Sequence, residues 1–281
     1  MQTRVVAQDL LFPECPRWHD GALYFSDQHD GVVWRVATDG GLDRVVDVPG
    51  QPSGIGWLPD GSMVVVSMLD RQLLRVKGTS VETLADLSGG VSHSLNDLVV
   101  DRAGRSYVGN FGFDLNNGDS PCGTALLCVQ PDGSISVAAE DVWFPNGAVI
   151  AEDGRTMILA ETFGARLTAF DIAEDGRLGN RRLWAPLEGL FPDGICLDAE
   201  GAVWVTCAMG GKVIRVREGG DVADTIPLPE GRQAFACMLG GEERRDLYLC
   251  TAPHFLPHIT KPARAGCVEV VQVEVPGAGL P

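Results

Sequence analysis

Basic residues are scarce in this 281-residue chain: 22 Lys and Arg stand against 38 Asp and Glu, for a formal charge of −16. That balance excludes a nucleic-acid partner, because phosphate recognition needs a basic face. It also disfavours an anionic membrane surface, while suiting divalent cations. Long apolar runs are missing too. No stretch approaches the roughly 18 residues of a spanning helix, and the N-terminal MQTRVVAQDLLFPEC lacks the apolar core of a signal peptide. A soluble, cytoplasmic protein is expected. None of the eight cysteines falls in a CxxC pair, and Cys196, Cys207, Cys237 and Cys250 sit inside apolar, strand-like runs. They read as buried free thiols. No serine occupies a G-x-S-x-G elbow, which argues against an acyl-enzyme route.

Glycine and apolar residues are abundant, with 35 Gly and 45% hydrophobic side chains. A helical 3.6-residue period is absent; short β-branched runs alternate with Gly, Asp and Pro turns. The chain also repeats. SGIGWLPDGS (53–62), NDLVVDRAGR (96–105), NGAVIAEDGR (146–155) and DGICLDAEGA (193–202) are successive copies of one strand and turn. Each is followed by a β-branched strand, a third strand ending in Arg-Val or similar, and a poorer fourth strand. A first copy begins at Glu14 and a degenerate sixth near Ala234. Four short antiparallel strands in each unit of about 40–50 residues predict an all-β, six-bladed β-propeller occupying 1–281 as one domain. The spare strand at 3–8 is expected to close the ring beside 268–275. Trp34, Trp57 and Trp204 are expected in the core between blades.

Glu14, Asn96, Asn146 and Asp193 occupy nearly the same register. Each precedes a turn glycine (Gly21, Gly104, Gly154, Gly201) by seven or eight residues. The leading residues of the innermost strands face the axis of a propeller, so the ring reads Glu14, Ser53, Asn96, Asn146, Asp193 and a residue near Ala234–Cys237. Two carboxylates and two amide oxygens suit one divalent cation in the central channel. Ca²⁺ is preferred; Mg²⁺, Mn²⁺ and Zn²⁺ are the substitutes.

The segments FPECPRW, SLNDLVVDRAGRSYVGNFGFD, FPNGAVIAEDGRTMILAET and PDGICLDAEGAVWVTCAMGGKVIRV resemble the senescence marker protein/gluconolactonase/regucalcin-like (LRE-like) family over essentially the whole chain. The resemblance implies a six-bladed propeller with one divalent metal and, in many members, hydrolysis of sugar lactones. It implies that Glu14, Asn146 and Asp193 are the metal ligands and that Asn96 contacts substrate. Where the sugar-lactone enzymes carry an arginine two residues before that asparagine, this chain has Ser94; a family glutamate falls at or near Asp114. Losing the arginine removes a bidentate donor for sugar hydroxyls and points to a more hydrophobic or aromatic lactone.

The expected activity is therefore metal-dependent hydrolysis of a small-molecule lactone. Asp193 is ligand and general base in one reading and ligand alone in another. An ester, phosphoester or tailoring reaction on the same platform is the alternative, and a non-catalytic calcium-binding propeller is a third. His93, three residues before Asn96, is either an acid or base of the pocket or a solvated loop residue. Cys15 either borders the site or packs. His254 and His258 have the spacing of a helical metal pair, but Pro253 and Pro257 forbid that helix, so they read as lid residues. The long segments 112–124 and 252–266 are expected to overhang the mouth.

Overall fold

Why the chain curls into a ring is visible in its strand order. The computed structural model describes residues 3–37, 40–115 and 117–281. It contains six four-stranded antiparallel sheets, five of them built from consecutive strands. The innermost strands are Pro13–His19, Pro52–Trp57, Leu95–Val100, Pro145–Ile150, Pro192–Leu197 and Gln233–Gly240, taken as blades 1 to 6. In blade 6 the outermost strand is Arg4–Leu10, paired with Gly266–Gln272. The N-terminal segment thus closes the ring, as its strand-like composition predicts, and spares the last blade an open edge.

The core is divided among the six gaps between neighbouring blades. Val33, Ile55 and Val65 lie between blades 1 and 2, and Leu73, Leu98 and Leu127 between 2 and 3. Tyr107, Ile150 and Leu159 fill the gap between 3 and 4, and Leu167, Trp184 and Val205 the gap between 4 and 5. Trp204, Leu239 and Val271 lie between 5 and 6, and Phe25, Cys250 and Val268 between 6 and 1. A sheet with apolar residues on both faces has no solvent side, which explains runs such as MVVVS without strict alternation. Trp204 is buried in its core, while Trp34 and Trp57 pack half-buried against theirs. All eight cysteines are free, and all but Cys122 are buried.

Glycine does two different jobs at the repeat signature. Gly104, Gly154 and Gly201 take positive φ in the turns that follow the innermost strands. Gly147 and Gly194, by contrast, lie inside strands, so Asn-Gly and Asp-Gly are not turns here. A Cβ on Gly147 would come within 2.6 Å of the Ile195 amide, and one on Gly194 within 2.5 Å of the Ala236 Cα. At these two positions the lack of a side chain lets neighbouring innermost strands approach this closely around the axis.

The C-terminal tail, too rich in Gly and Pro for a strand, crosses the face opposite the mouth. Leu280 exchanges both backbone hydrogen bonds with Ile150, and Ala278 donates to the Leu197 carbonyl. No helix among the described residues is long and apolar enough to cross a membrane.

Candidate active site

Every innermost strand breaks register at its leading end: between Glu14 and Arg17, Pro52 and Ile55, Leu95 and Leu98, Pro145 and Ala148, Pro192 and Ile195, and Ala234 and Ala236. A bulge re-aims the side chain it carries. Repeated around the ring, it turns a residue of every blade but the second into the axial cavity. Glu14, Asn96, Asn146 and Asp193 accordingly line one cavity of about 300 Å³ at the mouth. The other two ring positions are not donors. Ser53 is fully buried, accepting from Gln28 Nε2 at 3.2 Å and contacting the Cys15 thiol. The residue near Ala234–Cys237 is Phe235, which closes the cavity with an apolar face.

The polar atoms are held in a definite sense. Asn96 Nδ2 donates to the Pro145 carbonyl at 3.2 Å. Asn146 Nδ2 donates to Thr162 Oγ1 at 3.1 Å, and Thr162 in turn donates to the Pro192 carbonyl at 2.8 Å. Neither asparagine oxygen has a hydrogen-bond donor among the described residues, so both carbonyl oxygens remain available to the cavity. Glu14 Oε2 accepts from the Cys15 backbone N–H at 2.9 Å, and Cys15 itself sits at φ 48°, a left-handed conformation that a side chain tolerates poorly. Cys15 is thus buried behind Glu14, outside the cavity lining.

Burial sets the electrostatics. Desolvation, reinforced by the charge of Asp97, pushes the Glu14 carboxyl up to about 8. Asp193 is likewise raised, by desolvation and then by the charge of Glu14, with Asn146 hydrogen-bonding in opposition. Two buried carboxylates that repel one another call for a cation or for protons. The four side chains in the axial register all offer oxygen. Among the described residues no three His, Cys, Asp and Glu side chains converge anywhere. A divalent ion at the axis would be held by carboxylate and amide oxygens, the donor set of a hard cation, and the residues fit it.

The sign of the pH effect follows. Glu14 titrates at 4.5 when unfolded and about 8 when folded, so the native state binds more protons across that window. Stability is full below the lower value and is lost as pH rises through the upper one. The chelator-treated protein is expected to melt at progressively lower temperature from about pH 5 to 8. Added Ca²⁺ should raise the melting temperature most at the alkaline end. A flat profile by scanning calorimetry would contradict the burial argument.

Beneath the carboxylates lies a pair absent from the sequence reading. Arg17 Nη2 meets Asp97 Oδ1 at 2.6 Å, with both side chains almost wholly buried. The guanidinium also donates to the carbonyls of Pro16, Ile55 and Leu98. It thereby ties blades 1, 2 and 3 together under the site. The signal was there: Asp97 stands where three other repeats have Gly54, Gly147 and Gly194.

The remaining sequence candidates divide. Ser94 lines the axial cavity, but His93 and Asp114 do not; they line an adjoining cavity of about 300 Å³ with Arg71, Ser94 and Phe113. Ser94 thus stands on the border between the two cavities, with His93 and Asp114 on the far side of it. Neither His254 nor His258 lines either cavity. His254 Nδ1 accepts from the Leu256 amide, and His258 is exposed on a helix, Pro257–Ala263, that excludes His254. Pro257 opens that helix at its first turn, where a missing N–H costs nothing. Both long segments do reach the mouth, through Leu115 in one and Phe255 and Pro257 in the other.

Phenylalanine supplies much of the apolar wall. Phe12, Phe111, Phe144, Phe163, Phe191, Phe235 and Phe255 line the cavity, with Met68 and Met209. Phe111 stacks on Phe144 at 4.5 Å, and Phe163 meets Phe144 edge-on at 5.3 Å. Three of these rings share a register: Phe12, Phe144 and Phe191 each precede an axial residue by two positions. Gln51 and Ser94 are their counterparts in blades 2 and 3, and both also line the cavity.

The fold has counterparts among known proteins. Residues 12–253 match the model of the SMP-30/Gluconolactonase/LRE-like region. A 6-deoxy-6-sulfogluconolactonase of Pseudomonas putida is 30% identical over 99% of this chain and 96% of its own. Regucalcin of Danio rerio is 33% identical over 62% of this chain and 59% of its own. Among solved structures, a calcium-binding regucalcin from Agrobacterium tumefaciens superposes with TM-score 0.82, covering 100% of this chain and 96% of that one at 19% identity. At that identity the likeness speaks for the fold. With a family match spanning most of the propeller and every blade that carries an axial oxygen donor, the chain belongs to the SMP-30/gluconolactonase/LRE-like family of lactonase-type enzymes.

Proposed function

We propose that this protein is a divalent-cation-dependent lactonase whose substrate has an apolar, non-sugar body. One observation carries the reading: two buried carboxylates with raised pKa and two outward amide oxygens lie at the floor of a cavity walled by phenylalanine. Glu14, Asn146 and Asp193 would hold the ion. When bound, it supplies Lewis-acid polarisation of a carbonyl and a lowered pKa for a neighbouring water. Asn96 directs its amide oxygen into the cavity, its nitrogen being fixed on Pro145, and so orients a substrate bearing a donor. Asp193 accepts the proton of the water that adds to the acyl carbon. That proton then goes to the ring oxygen as the acyl C–O bond breaks, giving a hydroxy acid. The rings of Phe144, Phe163 and Phe191 exclude solvent and bury the substrate body.

The axial cavity offers no guanidinium. Among the described residues, its polar lining beyond the four oxygen donors is Ser94, Thr162, Gln28, Gln51 and His29. Sugar hydroxyls would be desolvated there against aromatic carbon, with few partners. An alkyl- or aryl-substituted lactone is therefore expected to exceed gluconolactone in kcat/KM by about tenfold or more, since burying some 60 Å² of apolar surface contributes roughly 1.4 kcal/mol. Turnover of a lactone panel with Ca²⁺, Mg²⁺, Mn²⁺ or Zn²⁺ tests this. Failure to hydrolyse any lactone or ester with any of these ions would remove the hydrolase reading, and preference for gluconolactone would remove the apolar one.

A further inference from the structure

We propose that His29 is a substrate-contacting residue of this reaction, a neutral imidazole whose Nε2–H is aimed into the cavity by a hydrogen bond from Thr260. The inference rests on the lactonase reading above. His29 lies in the turn between the second and third strands of blade 1 and lines the axial cavity. Its ring stacks on Phe12 with centroids 4.9 Å apart and planes 20° from parallel. Its Nδ1 lies 2.6 Å from Thr260 Oγ1, on the short helix that overhangs the mouth.

The tautomer follows from counting protons. Thr260 is 1% exposed, and His29 Nδ1 is the only partner of its hydroxyl among the described residues. If Nδ1 carried the hydrogen, the threonine proton would be buried with no acceptor, a cost the fold avoids when the roles are reversed. The hydroxyl therefore donates, Nδ1 accepts, and the ring hydrogen sits on Nε2. That nitrogen has no hydrogen-bond partner among the described residues, yet it is not among their buried unpaired atoms. It is accessible from the cavity. Burial, aided by the charge of Lys261, pushes the His29 pKa down to about 4, which keeps the ring neutral in the physiological range.

The turn is rigid and shares its foundation with Glu14. Asp27 accepts from the backbone N–H groups of Leu11 at 2.9 Å and Phe12 at 2.7 Å, and the Gln28 amide donates to the Phe12 carbonyl at 3.0 Å. The same segment that carries Glu14 to the axis therefore anchors the turn that bears the imidazole. A preorganised neutral donor stabilises negative charge as it develops on a substrate oxygen without holding a proton that must first be lost.

The test combines kinetics with nitrogen NMR. His29→Ala is expected to lower kcat/KM for the best lactone by on the order of 10²-fold. His29→Gln, whose side-chain nitrogen stands near the Nε2 position, should recover to within about tenfold of wild type, and Thr260→Val should fall between. In ¹⁵N-labelled protein, Nε2 of His29 should give a protonated and Nδ1 an unprotonated signal, unchanged across neutral pH. A folded His29→Ala protein with wild-type kcat/KM overturns the proposal, as does a hydrogen found on Nδ1. Equal loss in the Ala and Gln variants also overturns it, since that marks a packing role. Should His29→Ala not fold, the Gln and Val variants and the tautomer decide. A wild-type protein inert toward every lactone fails the hydrolase reading first, and the role of His29 falls with it.

Discussion

Replacing Asp193 by alanine is expected to abolish lactone turnover, with a loss of 10³-fold or more in kcat/KM on the order-of-magnitude scale of a lost Lewis-acid site and base. The fold should survive. Asp193 is buried, its pKa is raised by desolvation and by Glu14, and its ionised form therefore opposes folding. Removing it relieves that opposition, so the chelator-treated variant is expected to melt no lower than chelator-treated wild type. The same variant should lose the rise in melting temperature on adding Ca²⁺, because one of the two carboxylates is gone. Stability and turnover thus move in opposite directions at one residue, as is common where a site stores unfavourable electrostatics. Retained turnover in a folded Asp193→Ala protein would place the chemistry elsewhere.

Truncating Asp97 should do the reverse, damaging the fold most. Asp97→Ala leaves the Arg17 guanidinium buried without its carboxylate, and breaking a buried pair in this way costs roughly 3–5 kcal/mol. Arg17 keeps its bonds to the carbonyls of Pro16, Ile55 and Leu98, which places the expected cost near the lower end. Urea unfolding measures it. The double replacement Arg17→Met with Asp97→Leu should recover most of the loss, because neither charge then remains to be solvated. Additive losses in the double variant would show that the two residues do not act as a pair.

The register of the repeat made much of this site legible. Glu14, Asn96, Asn146 and Asp193 converge because equal sequence position becomes equal radial position once identical units close a ring. The same logic, applied two residues upstream, would have found the wall: Phe12, Gln51, Ser94, Phe144 and Phe191 are one register, and all line the cavity. Asp97 was visible as the residue that breaks a run of glycines. His93 and Asp114 belong to departures from the template, and they line the adjoining cavity instead of the axial one. His29 lay outside the repeat logic, in a turn, and acquired its meaning from Thr260, more than two hundred residues away.

Strand number, blade number and the radial ordering of the oxygen donors were settled by the chain itself, because alternation, turn glycines and period are local properties that closure merely repeats. Which atoms face the cavity, how far burial lifts the carboxyls, and which loop residues join the site were decided only in three dimensions. Hydrogen-bond direction, desolvation and contact between distant segments depend on neighbours that sequence spacing does not name.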